Sequence, residues 1–189
     1  MIREERDQIK QEIRNQFIQL ENRPRESLLH AKEIFEAISK LENGIKTSEC
    51  LMELAVNNND KEKSQVLFMA LFLWLFEGAY ASFVNLYCYL LVANGHKLED
   101  RYGSFAKNLK QIARIGLKRK FRFIKLDILK RENDRVLRND IAHFNFSIVK
   151  GRVIIEGKVV FMHSRVLELL RFTEELIRIF DEEQKSRHK

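Results

Sequence analysis

Val66-Leu67-Phe68-Met69-Ala70-Leu71-Phe72-Leu73-Trp74-Leu75-Phe76 is an unbroken apolar run, and from Val66 to Ala93 the only formal charge is Glu77. Residues 61–93 are therefore long and apolar enough to suggest a membrane span. Against that, Glu77, Ser82 and Asn85 fall mid-segment, where an ionisable group in lipid is expensive, and basic residues do not crowd one flank. The expectation is a central helix of a water-soluble protein, buried on all sides by its neighbours. Asn57-Asn58-Asn59-Asp60 is a loop before it, and Asn94-Gly95 is a usual helix stop after it. Glu77 is then a carboxylate on a core helix, suited to a salt bridge or partial exposure, with the orientation of Arg138 or His143 as the functional reading. Tyr80, one turn on, is expected to face the same way.

Working outward, residues 1–22 read as an amphipathic N-terminal helical extension, with Ile2, Ile9, Ile13, Phe17 and Leu20 on one stripe. Pro24 suits the first turn of the next helix. That helix carries Leu28, Ala31, Ile34, Phe35, Ile38 and Leu41, and a separate short helix is expected over Ser48–Val56. On the other side, residues 99–117 look helical, with Phe105, Leu109 and Ile112. Residues 118–130 set Phe121, Ile124 and Ile128 between Lys and Arg, a pattern that suits core packing better than base stacking. Asn133 or Asp134 is the expected cap of a short helix ending near His143. Phe146–Val149, Arg152–Ile155 and Lys158–Phe161 alternate with Lys150-Gly151 and Glu156-Gly157, so residues 145–161 read as a small hairpin or meander. A last helix, 163–186, has an inner stripe of Val166, Leu169, Leu170, Leu176, Ile177 and Phe180, with a solvated tail expected from Asp181.

A chain of 189 residues with 45% hydrophobic and 32% charged residues most simply makes one domain, 1–189, with a real core. One Pro and seven Gly argue against a turn-rich all-β protein. Cys50 and Cys88 form no framework, and MIREERDQIK lacks a secretory apolar region, so a reducing, cytoplasmic setting is expected. There is no internal repeat and no Gly-rich phosphate loop. The net charge of +7 is uneven: Lys107 to Arg138 holds 12 Lys and Arg against 3 acids, a local +9, whereas the remainder has 22 basic and 24 acidic residues, or −2. Such asymmetry is the footprint expected for a polyanion partner, and Lys118, Arg119, Lys120, Arg122, Lys125 and Arg135 are the candidate RNA-binding residues.

The basic segment leads into Arg138-Asn139-Asp140-Ile141-Ala142-His143. Arg offers a planar fork of donors that matches phosphate oxygens, and His gives or takes protons near neutral pH. The spacing alone is weak, because Arg25 and His30 repeat it. The context separates the two: Asn139 follows Arg138, Ala142 precedes His143, and a hairpin follows. With those residues in place the segment resembles the signature of the HEPN superfamily, small helical modules with Arg, a polar residue, a few more residues, then His. The resemblance implies a mainly α, HEPN-type helical bundle with a small β-hairpin between the motif helix and the C-terminal helix. It also implies a metal-independent ribonuclease of the kind found in toxin–antitoxin and phage-defence systems, with a separate antitoxin protein as a partner.

On an ideal helix Asn139 and His143 share a face, while Arg138 and His143 stand about 140° apart. They converge only through the long Arg stem or where the helix loosens. Asp140 and His143 could ligate a metal together, but no further ligand set sits at the right spacing, so no metal or other cofactor is expected. The chemistry expected is attack by the RNA 2′-hydroxyl on its own phosphorus, leaving a 2′,3′-cyclic phosphate. His143 moves the proton, Arg138 stabilises the phosphoryl charge, and Asn139 holds substrate or imidazole. Asp140, Glu77 and Tyr80 are accessory candidates. Attacking and leaving oxygens lie on opposite sides of phosphorus, beyond one imidazole, and this predicts a homodimer that supplies two copies of Arg138 and His143. The rival from a different class is a non-catalytic RNA-binding or protein-interaction module on the same fold.

Overall fold

A computed structural model describes residues 3–21, 24–95, 112 and 131–186. Their order is α1 (Arg3–Glu21), α2 (Pro24–Val56), α3 (Lys61–Trp74), a π-helical stretch (Leu75–Tyr80), α4 (Ala81–Ala93), α5 (Glu132–Ala142), β1 (Ser147–Val149), β2 (Arg152–Ile155), β3 (Lys158–Val160) and α6 (Met162–Lys185). The protein is mainly helical with one small antiparallel sheet, as the periodicities predict. It divides into two compact units: residues 1–39, 81–130 and 174–189, and residues 40–80 and 131–173.

In the first unit, Ile9 and Ile13 of α1 are buried, as are Phe83, Leu86, Tyr87, Leu90 and Leu91 of α4 and Leu176, Ile179 and Phe180 of α6. The opposite charge pattern of two helices ties α1 to α6. Arg6, Lys10 and Arg14, spaced four apart, meet Glu175, Glu182 and Glu183: Lys10 Nζ lies 2.7 Å from Glu182, and Arg14 Nε 2.9 Å from Glu183. Glu183 is buried and Glu182 is bound on two sides, so these two residues are no part of a solvated tail. Composition reads those acids as solvent-facing because their partners lie about 170 residues away in sequence. Tyr87 Oη donates to Glu12 at 2.9 Å, which joins α4 to α1.

In the second unit the core is Leu41, Phe68, Met69, Leu71, Phe72, Leu75, Phe76 and Tyr80 with Leu137, Ile141, Val153, Val166, Leu169 and Phe172. The apolar run is not buried on all sides. Val66, Ala70, Trp74 and Glu77 form an exposed stripe at spacings of four, four and three, so composition alone hid an ordinary two-faced helix. Lys61–Ala93 remains long and apolar enough to cross a membrane, and half of its most apolar window is buried within the structure.

One helix boundary differs from the sequence expectation. The helix expected at Ser48–Val56 is the end of α2, which runs unbroken from Pro24. Gly44 is a contact point within it: a Cβ there would lie 3.1 Å from the Ala79 Cβ, so the bare backbone lets α2 approach the π-helical stretch. The hairpin is a three-stranded meander in the order β1-β2-β3, with Ile148 opposite Val153 and Val153 opposite Val160. Its turns place Lys150-Gly151 and Glu156-Gly157 all at positive φ, as a type I′ turn requires.

Helix α3 begins where the sequence loop ends. Asp60 Oδ1 accepts from the backbone N–H of Glu62 at 3.0 Å and of Lys63 at 3.2 Å, satisfying donors the first turn leaves open. The Lys63 N–H is the foremost cause that holds the Asp60 carboxyl below the ordinary carboxylate range, outweighing the upward push of desolvation at this exposed side chain. A depressed folded pKa contributes stability that is complete above the unfolded value and is lost as pH falls through the folded one. Asp60→Ala should therefore lower the thermal midpoint at neutral pH, and the gap from wild type should close in acid, below about pH 4. A gap that is constant across that window would show that the cap does not act through its charge.

Candidate functional site

Helix α5 carries the six-residue motif. It does not start on a side-chain cap from Asn133 or Asp134. Arg131 is the N-cap, in the left-handed region at φ 40°, with no side-chain cap bond. Asp134 is buried and pairs with the Arg131 guanidinium, which also lies 4.6 Å over the Phe172 ring. The Asp that reads as a cap thus anchors the Arg that precedes it.

Leu137 and Ile141, one turn apart, are buried and set the inner face of α5. That choice turns Arg138 and Asn139 to partial exposure and leaves His143 exposed. Arg138 Nε donates to Glu77 Oε1, and Arg138 Nη1 donates to Asn139 Oδ1 at 2.9 Å. Two of the five guanidinium N–H groups are used this way. Glu77 thus forms a salt bridge while staying well exposed, and its partner is Arg138. It reaches that place from the π-helical stretch, whose i→i+5 bonding shifts residue angles relative to an α-helix. The same shift separates it from Tyr80, which is fully buried with its ring against Phe76 at 5.7 Å and Phe172 at 5.8 Å. Burial pushes the Tyr80 phenol far up, so it stays neutral within the core.

Helix α5 ends at the motif's last residue. His143 is the C-cap at φ −98°, ψ 8°, and its N–H bonds the Asn139 carbonyl at 2.9 Å. The helix therefore ends at His143, and among the described residues no hydrogen bond joins His143 to Arg138. The next N–H groups close a Schellman motif: Phe144 to Ile141 O at 3.1 Å and Asn145 to Asp140 O at 2.8 Å. Three consecutive N–H groups are consumed by the helix's own carbonyls, so the backbone here offers an anion nothing. Any positive charge must come from side chains, since a helix C-terminus carries partial negative charge.

One feature escaped the sequence. Phe144 holds the left-handed position of the Schellman motif at φ 59°, where Gly is usual, at a cost of about 1–2 kcal/mol. Its ring is 81% exposed, with the Phe146 ring 6.3 Å away. The available signal was an aromatic directly after a helix-ending His. The Glu77–Arg138 pairing spans 61 residues, so the sequence could offer Arg138 only as one of two candidate partners.

Lys118, Arg119, Lys120, Arg122 and Lys125 lie outside the described residues; Arg135 is on α5 and partly buried. His163 is exposed, its ring 5.1 Å from that of Phe68. Among the described residues no group of three or more His, Cys, Asp or Glu is placed to hold a metal ion. Cys88 is buried, and burial pushes its thiol up to about 12; Cys50 is exposed. Comparison with protein-family models, curated proteins and solved structures finds no match.

The two ion pairs of α5 should behave differently. Side-chain exposure is 4% for Asp134 and 17% for Arg131, but 48% for Glu77 and 32% for Arg138. Breaking a buried pair leaves an uncompensated charge, whereas a wet one contributes little. Asp134→Ala should cost about 3 kcal/mol in urea unfolding, and Glu77→Ala less than about 1 kcal/mol. Equal losses would mean that Glu77–Arg138 is a structural brace.

Proposed function

We propose that this protein is a HEPN-like, metal-independent endoribonuclease that acts as a homodimer. One observation supports it most: at one helix end an exposed imidazole, His143, follows a half-exposed guanidinium, Arg138, that Glu77 and Asn139 already orient. Exposed groups held by other polar groups are what a site acting on an external substrate needs. Among the described residues the remaining N–H groups of Arg138 have no recorded acceptor, which leaves donors for two phosphoryl oxygens.

His143 takes the proton of the RNA 2′-hydroxyl as that oxygen attacks phosphorus. Arg138 stabilises the charge that grows on the phosphoryl oxygens. The 5′-oxygen of the next nucleotide leaves on the far side, where a proton must be delivered to it. A second His143, from a partner chain related by a two-fold axis, supplies that proton. The products are a 2′,3′-cyclic phosphate and a 5′-hydroxyl. The charge of +9 between Lys107 and Arg138 suits attraction of the polyanion, and a separate antitoxin that holds the enzyme silent fits this class of activity.

One observation favours a second reading. Arg138 is engaged by Glu77, so a phosphate must share or displace that carboxylate. A non-catalytic RNA-binding module would need no such release.

The experiment is cleavage of single-stranded RNA and DNA in excess EDTA, with mass determined on the same samples. Wild type should cut RNA to cyclic-phosphate ends, spare DNA and sediment as a dimer. His143→Ala and Arg138→Ala should lose cutting by about a hundredfold or more, and His30→Ala should keep it. RNA binding without cutting would establish the module instead. Cutting that survives His143→Ala, or that needs a divalent ion, would sink the mechanism; a monomer that cuts would sink the composite site.

A further inference from the structure

Four positions among the described non-glycine residues adopt positive φ: Arg131, Phe144, Lys150 and Glu156. Three have evident reasons. Arg131 is tied by Asp134 and Phe172 at the start of α5, and Lys150 and Glu156 are the first residues of X-Gly hairpin turns. Phe144 has no such reason. A bulky side chain occupies a position that Gly or Asn fills at less cost, and the ring does not recover that cost by burial, because it is 81% exposed. Its recorded ring neighbour, Phe146, is itself only partly buried.

The conformation does achieve a fixed placement. Two Schellman hydrogen bonds pin the backbone on either side of the ring to the last turn of α5. The turn that carries Arg138, Asn139 and His143 therefore also fixes where Phe144 projects. Phe146 stands 6.3 Å away at an interplanar angle of 31°, a tilted support on one side rather than a parallel slot. With the backbone N–H groups spent on the cap, the recognition surface here consists of a cation, an imidazole and an open aromatic face. In a nucleotide those groups match the phosphate, the ribose hydroxyl and the base.

We infer that Phe144, supported by Phe146, is a stacking platform for a nucleobase adjoining the scissile phosphate of single-stranded RNA. This rests on the proposed ribonuclease activity and deepens it: the substrate is unpaired at the cut, and the ring reads a π face rather than a sequence. A stacked base fixes the adjacent ribose, so its 2′-hydroxyl stays beside His143. Duplex RNA, whose bases are already stacked, is a poor substrate.

The test uses the full chain with Phe144→Gly, Phe144→Leu, Phe144→Tyr and Phe144→Trp. Binding is read with a fully 2′-O-methylated single-stranded oligonucleotide carrying 2-aminopurine, which cannot be cut, and turnover with unmodified RNA. Phe144→Gly should fold with an equal or higher thermal midpoint, since glycine suits the left-handed position, yet bind about tenfold more weakly and show a raised KM. Phe144→Leu should bind as poorly as the glycine variant, while Tyr and Trp restore affinity and the change in 2-aminopurine fluorescence. Wild-type turnover with unchanged KM in Phe144→Gly would overturn the platform and leave the ribonuclease standing. A wild type that neither binds nor cuts RNA would overturn both. Unaltered oligonucleotide binding with a loss of dimer mass in Phe144→Gly would show that the ring is a protein contact, and would overturn the platform too.

Discussion

Glu77 is the one formal charge between Val66 and Ala93, and the helix that carries it must place it where a charge can exist. It does so on the exposed stripe of that helix, within a π-helical stretch, and against the Arg138 guanidinium. The site depends on this contact more than the fold does. Both partners stay wet enough that the pair contributes roughly 0–1 kcal/mol, small beside the burial of Phe68, Phe72, Phe76 and Tyr80 on the same helix at about 1.5–3 kcal/mol for each fully buried Phe-sized side chain. What the carboxylate provides is direction. Arg has a long, mobile stem, and a guanidinium held at Nε and Nη1 presents its other edge in a defined plane.

The elements that depend on local chemistry were legible. Lys150-Gly151 and Glu156-Gly157 announce tight hairpin turns, and the three strands fall within about a residue of their expected limits. The core helix, its stop at Asn94-Gly95 and the final helix followed from periodicity. What failed depended on distant partners. The separate helix expected at Ser48–Val56 is the end of α2, where Gly44 packs closely on Ala79. Glu182 and Glu183 read as a solvated tail until Arg6, Lys10 and Arg14 stand opposite. Asp134 has the right identity and position for a cap and instead pairs with Arg131.

The candidate site was half legible for the same reason. Arg138, Asn139 and His143 are neighbours in sequence, so their chemistry could be read together. Glu77 was placed on the helix by periodicity, but its partner was one expectation among several. Phe144 carried little signal beyond its place after His143, because 14 Phe occur in the chain and most have every reason to be core. Only its φ of 59° and its exposure set it apart.

The site's location at a helix C-terminus imposes a further constraint. Helix N-termini bind phosphate through free N–H groups and a favourable dipole. Here the polarity is reversed, and the N–H groups of His143, Phe144 and Asn145 are turned back onto the helix's own carbonyls. A phosphate at this end meets partial negative charge from the backbone and a carboxylate from Glu77. One guanidinium shared with that carboxylate is a weak counterweight. On the proposed chemistry, a two-fold axis that brings a second Arg138 alongside doubles the positive charge and at the same time supplies the second imidazole. On that proposal the arrangement of α5 makes the same demand as the stereochemistry of in-line displacement: a second guanidinium beside the one that Glu77 shares, and a second imidazole for the leaving oxygen.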